Sequence, residues 1–155
     1  FDLNISAQGD LKIDIHHTNE DIGIVLGEAF KKALADKKGI RRFGSASVPM
    51  EDVVANAVID ISGRCSFRIV KSNTINSGVK DDKDGYTISD AEHFFDAFAK
   101  NLGMNFNIKI DSVTMSYDLH TTLEPVFKAL GIALDQASQV DPRRKGIPST
   151  KGIID

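Results

Sequence analysis

The sequence has few of the features that mark several common classes of protein. A single cysteine, Cys65, among 155 residues excludes an internal disulfide framework and predicts a reducing, cytoplasmic location. No apolar run approaches the roughly 18 to 20 residues of a membrane span, so no membrane association is expected. Positive charge is not in excess either. The net charge of -3 argues against a nucleic-acid partner, although Arg143, Arg144 and Lys145 are adjacent.

Hydrophobic periodicity in the first half of the chain predicts both strands and a helix. Apolar residues alternate over residues 1–15 around a turn at residues 8–10, which predicts a β-hairpin. The apolar spacing then changes to three and four, which predicts an amphipathic helix over residues 17–35. A loop containing Pro49 follows. The apolar run 53–61 is compatible with a strand or a helix, and its β-branched residues favour a strand.

The second half of the chain repeats this order of elements. Residues 72–87 are polar and predict a loop, and Ser89 with Glu92 predicts a capping box that begins a helix ending near Gly103. Residues 106–117 alternate around Asp111 and Ser112, which predicts a second hairpin, and a helix is expected from about residue 122.

Both hairpins are followed by His-x-x-x-Glu and an amphipathic helix. This repeat predicts an internal duplication, with repeats at about residues 1–88 and 89–155 of a single domain. The expected fold is an α+β two-layer sandwich, with helices on one face of mainly antiparallel sheets.

The repeated pairs are His16 with Glu20 and His120 with Glu124. Residues four apart on a helix share a face, and imidazole with carboxylate suits Zn, Mn or Fe. A solvated ion pair is the alternative for either pair alone, but the second copy favours metal binding. His17 is expected to face another direction, where a second metal or a neighbouring subunit are the alternatives for its partner.

Basic residues form a second candidate set. Arg42 and Arg64 lie beside glycines, where backbone and guanidinium can approach one oxyanion together. Lys128, Ser149 and Lys151 supply two ammonium groups and a hydroxyl. Spacing alone favours the alternative that these are ordinary solvated basic residues.

Eight motifs together resemble one enzyme family. They are Asp14-Ile-His-His-Thr-Asn-Glu-Asp, Gly23-Ile-Val-Leu-Gly, Arg42-Phe-Gly, Pro49-Met, Asp60-Ile-Ser-Gly-Arg, Glu92-His-Phe-Phe, Phe127-Lys-Ala and Pro148-Ser-Thr-Lys-Gly. In this order they resemble the imidazoleglycerol-phosphate dehydratases of histidine biosynthesis, over almost the whole chain.

The resemblance implies a fold, a reaction and a site. The fold would be a duplicated one like domain 2 of ribosomal protein S5, and the reaction would be the loss of water from imidazole glycerol phosphate, a small phosphate substrate. The resemblance also implies a shell of twenty-four identical chains with two Mn ions per active site at subunit interfaces. The matching metal ligands are His16, His17, Glu20, His93, His120 and Glu124, and the matching phosphate-binding residues are Arg42, Arg64, Lys128, Ser149 and Lys151. Glu20, Asp21 and Glu124 are the candidate catalytic carboxylates.

The sequence also departs from the family pattern. Thr121 stands where the family has a second histidine, so one of the two metal positions is expected to be weakened. The family has further residues before the segment that matches Phe1, including strands, a histidine ligand and a glutamate, so a site made from this chain alone is expected to be incomplete. Two hypotheses remain: a metal-dependent lyase, or a weakened or inactive homologue kept for metal binding and assembly.

Overall fold

The structure is a computed structural model that describes residues 1–75, 85–113 and 118–154. Its elements follow the chain as α1 (Ile15–Ala33), β1 (Phe43–Met50), β2 (Val53–Asp60), β3 (Ser66–Lys71), α2 (Ile88–Leu102), β4 (Asn105–Ser112) and α3 (Leu119–Ser138). The α+β class expected from the sequence is confirmed. The division into two repeats stays a prediction. Asp14 and Asp118 nevertheless cap α1 and α3, each two residues before the histidine of a His-x-x-x-Glu pair.

The four strands form one mixed sheet in the order β1-β2-β4-β3. β1 pairs with β2 and β2 pairs with β4 in antiparallel fashion, whereas β3 and β4 are parallel and are connected through α2. Ala57 of β2 lies opposite Ala46 of β1 and Ile108 of β4, so these residues share a face of the sheet. α3 packs on β1 and β2, α2 packs on β3, and α1 packs against α2.

The core lies between the sheet and the helices. Phe95 and Phe98 of α2 and Phe106 of β4 are almost fully buried there. Burial of one such side chain contributes roughly 1.5–3 kcal/mol to the free energy of unfolding. α3 approaches β1 very closely at Gly44, where an added Cβ would lie 1.9 Å from the Ala133 carbonyl oxygen. Only glycine permits this contact.

The predicted hairpin over residues 1–15 is wrong. Residues 1–10 have no regular structure and are followed by a turn, in which the Ile13 amide donates to the Asp10 carbonyl over 3.1 Å. Leu3, Ile5 and Leu11 are exposed. An isolated two-stranded hairpin is marginal in water, because its apolar face needs a covering layer. The described chain supplies no such layer for this segment.

Two boundaries near the site also need correction. The loop predicted around Pro49 is the edge strand β1, where proline is tolerated because one side of the strand faces no partner. The capping box of α2 is made by Thr87 and Asp90 rather than by Ser89 and Glu92, because Thr87 has the extended backbone that a helix cap requires. α2 ends at Gly103, as predicted, and this glycine adopts the left-handed conformation.

The second predicted hairpin is wrong at its turn. Asp111 and Ser112 still belong to β4, which pairs with β2 and β3 instead of turning back. The predicted return strand falls mainly on residues 114–117, and most of the predicted polar loop falls on residues 76–84. Both stretches lie outside the described residues. None of the helices in the described part of the chain has the length and apolar character needed to cross a bilayer.

Candidate metal and phosphate site

The first His-x-x-x-Glu pair lies at the start of α1. The Asp14 carboxylate caps this helix by accepting a hydrogen bond from the His16 amide over 2.8 Å. One turn further on, Glu20 Oε2 lies 3.8 Å from His16 Nε2. The sequence prediction that both side chains share one helix face is therefore confirmed.

A third candidate ligand joins this pair from α2. The ring centroids of His16 and His93 are 4.5 Å apart, and those of His16 and His17 are 5.8 Å apart. The two helices approach closely because α1 presents glycine at this contact. An added Cβ at Gly23 would lie 2.8 Å from the carbonyl oxygen of Phe94, the residue after His93. The packing of α1 on α2 thus brings His93 beside His16, which has His17 as its neighbour on α1.

A buried polar link fixes the same two helices. Asn19 Nδ2 donates to the Asp90 carbonyl over 2.6 Å, and the Tyr86 hydroxyl donates to Asn19 Oδ1 over 2.9 Å. Burial, helped by the nearby Asp90 carboxylate, raises the pKa of Tyr86 to about 12, so this phenol remains a donor at neutral pH. Sequence reasoning missed Asn19 and Tyr86. The available signal was an amide inside the His-His-Thr-Asn-Glu stretch of a predicted helix.

A cavity of about 520 Å³ lies beside His17, between residues 3–10 and α1. His17, Thr18 and Asp21 line its polar part, while Ile22 lies in its apolar part. Asp21 and His17 are one turn apart, so the candidate acid–base carboxylate lies beside a candidate metal ligand. This places the two residues on a different part of α1 from the His16–Glu20 pair.

The second His-x-x-x-Glu pair lies at the start of α3. His120 Nε2 is 2.7 Å from Glu124 Oε2, and the other oxygen of Glu124 pairs with Lys128. The pKa of Glu124 lies below its usual value, chiefly because Lys128 donates a hydrogen bond to the carboxylate. Lys128, a candidate phosphate-binding residue, is therefore tied to a candidate metal ligand.

Thr121 has a structural partner at this helix start. Its amide donates to Asp118 Oδ2 over 2.6 Å, and its hydroxyl donates to the same oxygen. These bonds lower the pKa of Asp118. The threonine hydroxyl thus completes the helix cap. Within residues 1–75, 85–113 and 118–154, no three His, Cys, Asp or Glu side chains converge closely enough to hold a metal ion.

The candidate phosphate-binding residues lie mostly at one corner of the sheet. Arg42 precedes β1, and its guanidinium makes a two-point ion pair with Asp60 at the end of β2. Arg42 Nη1 also donates to the Pro148 carbonyl over 2.7 Å, directly before Ser149. Arg64 follows β2 in a turn in which the Ser62 hydroxyl accepts from the Arg64 amide over 3.3 Å.

Comparisons with known proteins assign this arrangement to a family. The family model described as "Imidazoleglycerol-phosphate dehydratase" matches residues 1–134. The imidazoleglycerol-phosphate dehydratase of Pelobacter propionicus is 47% identical over 154 residues, which are 99% of this chain and 75% of that protein. The Bacillus subtilis protein of the same name is 44% identical over 160 residues, again 99% of this chain and 75% of that protein.

Solved structures agree with the sequence relatives. The crystal structure of imidazoleglycerol-phosphate dehydratase from Staphylococcus aureus has a TM-score of 0.70 at 32% identity, covering 88% of this chain and 72% of that one. The Pyrococcus furiosus enzyme, in complex with (S)-C348, has a TM-score of 0.69 at 33% identity, covering 89% and 70%. The chain therefore belongs to the imidazoleglycerol-phosphate dehydratase family of lyases.

Proposed function

We propose that this protein uses Mn²⁺ to convert imidazole glycerol phosphate to imidazole acetol phosphate and water, within histidine biosynthesis. The observation that carries the proposal is the packing of His16 against His93 beside Glu20, in a member of the dehydratase family. Two imidazoles and a carboxylate suit Mn²⁺. The unpaired, exposed Cys65 is compatible with the cytoplasm as the site of action.

The donors suit Mn²⁺ in chemistry, and in this proposal each chain supplies only parts of a coordination sphere, because no three such side chains converge in its described residues. His16, Glu20 and His93 lie on α1 and α2, whereas His120 and Glu124 lie on α3. We propose that the two groups meet when identical chains assemble, as in the shell of twenty-four chains that the resemblance implies. Bound Mn²⁺ would polarise the imidazole ring of the substrate as a Lewis acid.

The carboxylates have different roles in this proposal. Glu20 and Glu124 are ligands, and the lowered pKa of Glu124 suits an anion that holds a cation rather than a proton carrier. Asp21 carries the proton, because it lines the cavity beside His17 without belonging to either His-x-x-x-Glu pair. One proton leaves carbon, the neighbouring hydroxyl leaves as water with a second proton, and the resulting enol becomes the ketone.

The basic residues hold the substrate phosphate in this proposal. Arg42 and Ser149 are joined through the Pro148 carbonyl, and Arg64 and Lys151 lie in the adjoining turns. Lys128 reaches the substrate from α3, where it now pairs with Glu124. Fixed cations at the phosphate would keep the imidazole in register with the metals.

Metal content tests the site directly. His16→Ala and Glu20→Ala should each abolish most Mn²⁺ binding, as measured by electron paramagnetic resonance and elemental analysis. Lys109→Ala is the matched control, because Lys109 is an exposed residue of β4 that pairs with Asp111. Metal content that is unchanged in both site variants would refute the ligand assignment.

One observation favours the second candidate function, a metal-binding or assembly subunit without full activity. The Thr121 hydroxyl is engaged by Asp118 at the position where the family has histidine. Thr121→His should raise both Mn²⁺ occupancy and dehydratase activity if the protein is a lyase with a weakened site. Raised occupancy with no activity in either form would favour the assembly subunit.

A further inference from the structure

The backbone of Arg42 is held in an unusual conformation by two backbone hydrogen bonds. Its φ of +73° lies in the left-handed region, which residues other than glycine seldom adopt. The Arg42 amide donates to the Ala137 carbonyl near the end of α3 over 2.8 Å. The Arg42 carbonyl accepts from the Ile61 amide, just after β2, over 3.0 Å. Such strain persists only where its surroundings determine the conformation, so the direction of the Arg42 side chain is fixed from both sides.

Asp60 occupies one edge of the Arg42 guanidinium. Nε and Nη2 of Arg42 donate to the two oxygens of Asp60 over 2.6 and 3.0 Å, in a largely buried pair. Nη1 donates to the Pro148 carbonyl over 2.7 Å. A guanidinium has five N–H donors, and the bonds to described residues use three of them, which leaves two for another acceptor. The Arg42 pKa is raised chiefly by the hydrogen bond with Asp60, which keeps the guanidinium charged.

The Pro148 carbonyl anchors the turn that carries Ser149 and Lys151. Within this turn, the Ser149 hydroxyl accepts from the Lys151 amide over 3.2 Å, and the Gly152 amide donates to the Ser149 carbonyl over 3.0 Å. The Arg42 side chain therefore connects β1 to this C-terminal turn. If the guanidinium rotates, the turn loses this contact.

Asp60 also begins the turn that carries Arg64. Its carbonyl accepts from the Ser62 amide over 2.9 Å. The Ser62 hydroxyl then bonds the Arg64 backbone and accepts from Asn105 Nδ2 over 2.8 Å. Asp60 thus bonds the Arg42 guanidinium directly and belongs by its backbone to the turn that carries Arg64, whereas its link to the Ser149–Lys151 turn runs through Arg42.

We infer that Asp60 is the positioning residue of a phosphomonoester subsite: it fixes the Arg42 guanidinium so that the two remaining N–H groups and the Ser149–Lys151 turn serve one phosphate. This inference rests on the proposed function and adds a residue to it. A simple charge argument predicts the opposite effect, because the Asp60 carboxylate would compete with phosphate for Arg42 and repel it. The sign of the effect therefore separates positioning from competition.

The experiment measures inorganic phosphate binding by calorimetry, and KM and kcat for the substrate, in the native protein and in Asp60→Asn. Loss of a charge-assisted positioning bond should weaken phosphate binding and raise KM by about tenfold to a hundredfold. The value of kcat should fall by a smaller factor than KM rises, because the phosphate takes part in no bond that forms or breaks in the reaction. Asp96→Asn removes the same charge from the surface of α2 and should change neither the phosphate affinity nor KM.

Asp60→Glu keeps the ion pair and guards against a folding defect in Asp60→Asn. Its extra methylene displaces the guanidinium, so phosphate binding should again weaken, whereas a role of charge alone leaves it unchanged. Phosphate binding that is equal or tighter in both Asp60 variants overturns the inference and leaves the proposed function intact. If the native protein binds no phosphate and Arg64→Ala leaves KM unchanged, the phosphate subsite itself is refuted.

Discussion

The contact between α1 and α2 at Gly23 gives the sharpest prediction about how the fold supports the site. A Cβ at this position would lie 2.8 Å from the Phe94 carbonyl oxygen and 3.1 Å from Ala97 Cβ, whereas ordinary contact begins near 3.4 Å. Gly23→Ala must therefore push α1 away from α2 by several tenths of an ångström. Gly27, one turn further along α1, meets Phe98 equally closely and resists that movement.

The expected cost follows from two opposing effects. Overpacking a well-packed contact costs about 1–3 kcal/mol. Replacement of glycine by alanine inside a helix recovers about 0.5–1 kcal/mol of that cost through helix propensity. The difference between these two effects predicts that Gly23→Ala lowers the free energy of unfolding by up to about 2.5 kcal/mol. It should also weaken Mn²⁺ binding, because His93 precedes the displaced Phe94.

Gly131→Ala is the matched control for this substitution. Gly131 lies in α3, and no neighbouring atom of the described residues lies within 4 Å of an added Cβ. The same chemical change should therefore stabilise the protein by about 0.5–1 kcal/mol. Urea unfolding followed by circular dichroism measures both values. Equal stability changes in the two variants would refute the steric account of the α1–α2 contact.

Three further predictions concern the helix starts and the link between α1 and α2. The pKa of Tyr86 is about 12 in the folded protein, so above pH 10 the phenol ionises in the unfolded chain but stays protonated in the folded one. The free energy of unfolding should therefore fall as the pH rises from about 10 to about 12. Tyr86→Phe should flatten that fall in pH-dependent unfolding; an unchanged slope would contradict it. Asn19→Ala removes the side chain that bonds the Tyr86 hydroxyl and the Asp90 carbonyl, so it should lower the free energy of unfolding in urea by about 1–3 kcal/mol. The control Asn107→Ala, on the exposed face of β4, should not produce this loss. Thr121→His removes the hydroxyl that bonds Asp118, so it should lower thermal stability slightly. It should also raise Mn²⁺ occupancy, and calorimetry that shows no gain in Mn²⁺ binding would contradict this prediction.

Local pattern was sufficient where an element is stabilised by one buried face. The spacing of apolar residues in α1, α2 and α3 predicted these helices, because each places one side against a neighbour. The same reasoning failed at residues 1–15, where alternation predicted strands but no layer covers them in the described chain. The sequence did not predict β1, because Pro49 and the small residues of this edge strand are not typical of a strand.

The parts of the site that lie within one helix were predictable from the sequence, whereas the contacts between different elements were not. The spacing of His16 and Glu20, and of His120 and Glu124, follows from one turn of helix. The position of His93 beside His16 depends on helix packing through Gly23, and that of Arg42 beside Asp60 depends on strand pairing. These contacts between distant residues are tertiary facts that no local spacing encodes.

A titration with Mn²⁺ tests the proposed lyase most directly, when substrate turnover by the metal-stripped native protein is measured at each metal concentration. Formation of imidazole acetol phosphate is the signal, with His16→Ala measured alongside. We predict no product without metal, and a saturable return of activity in the native protein but not in the variant. Product formed equally well without metal, or no product at any Mn²⁺ concentration, would contradict the proposed function.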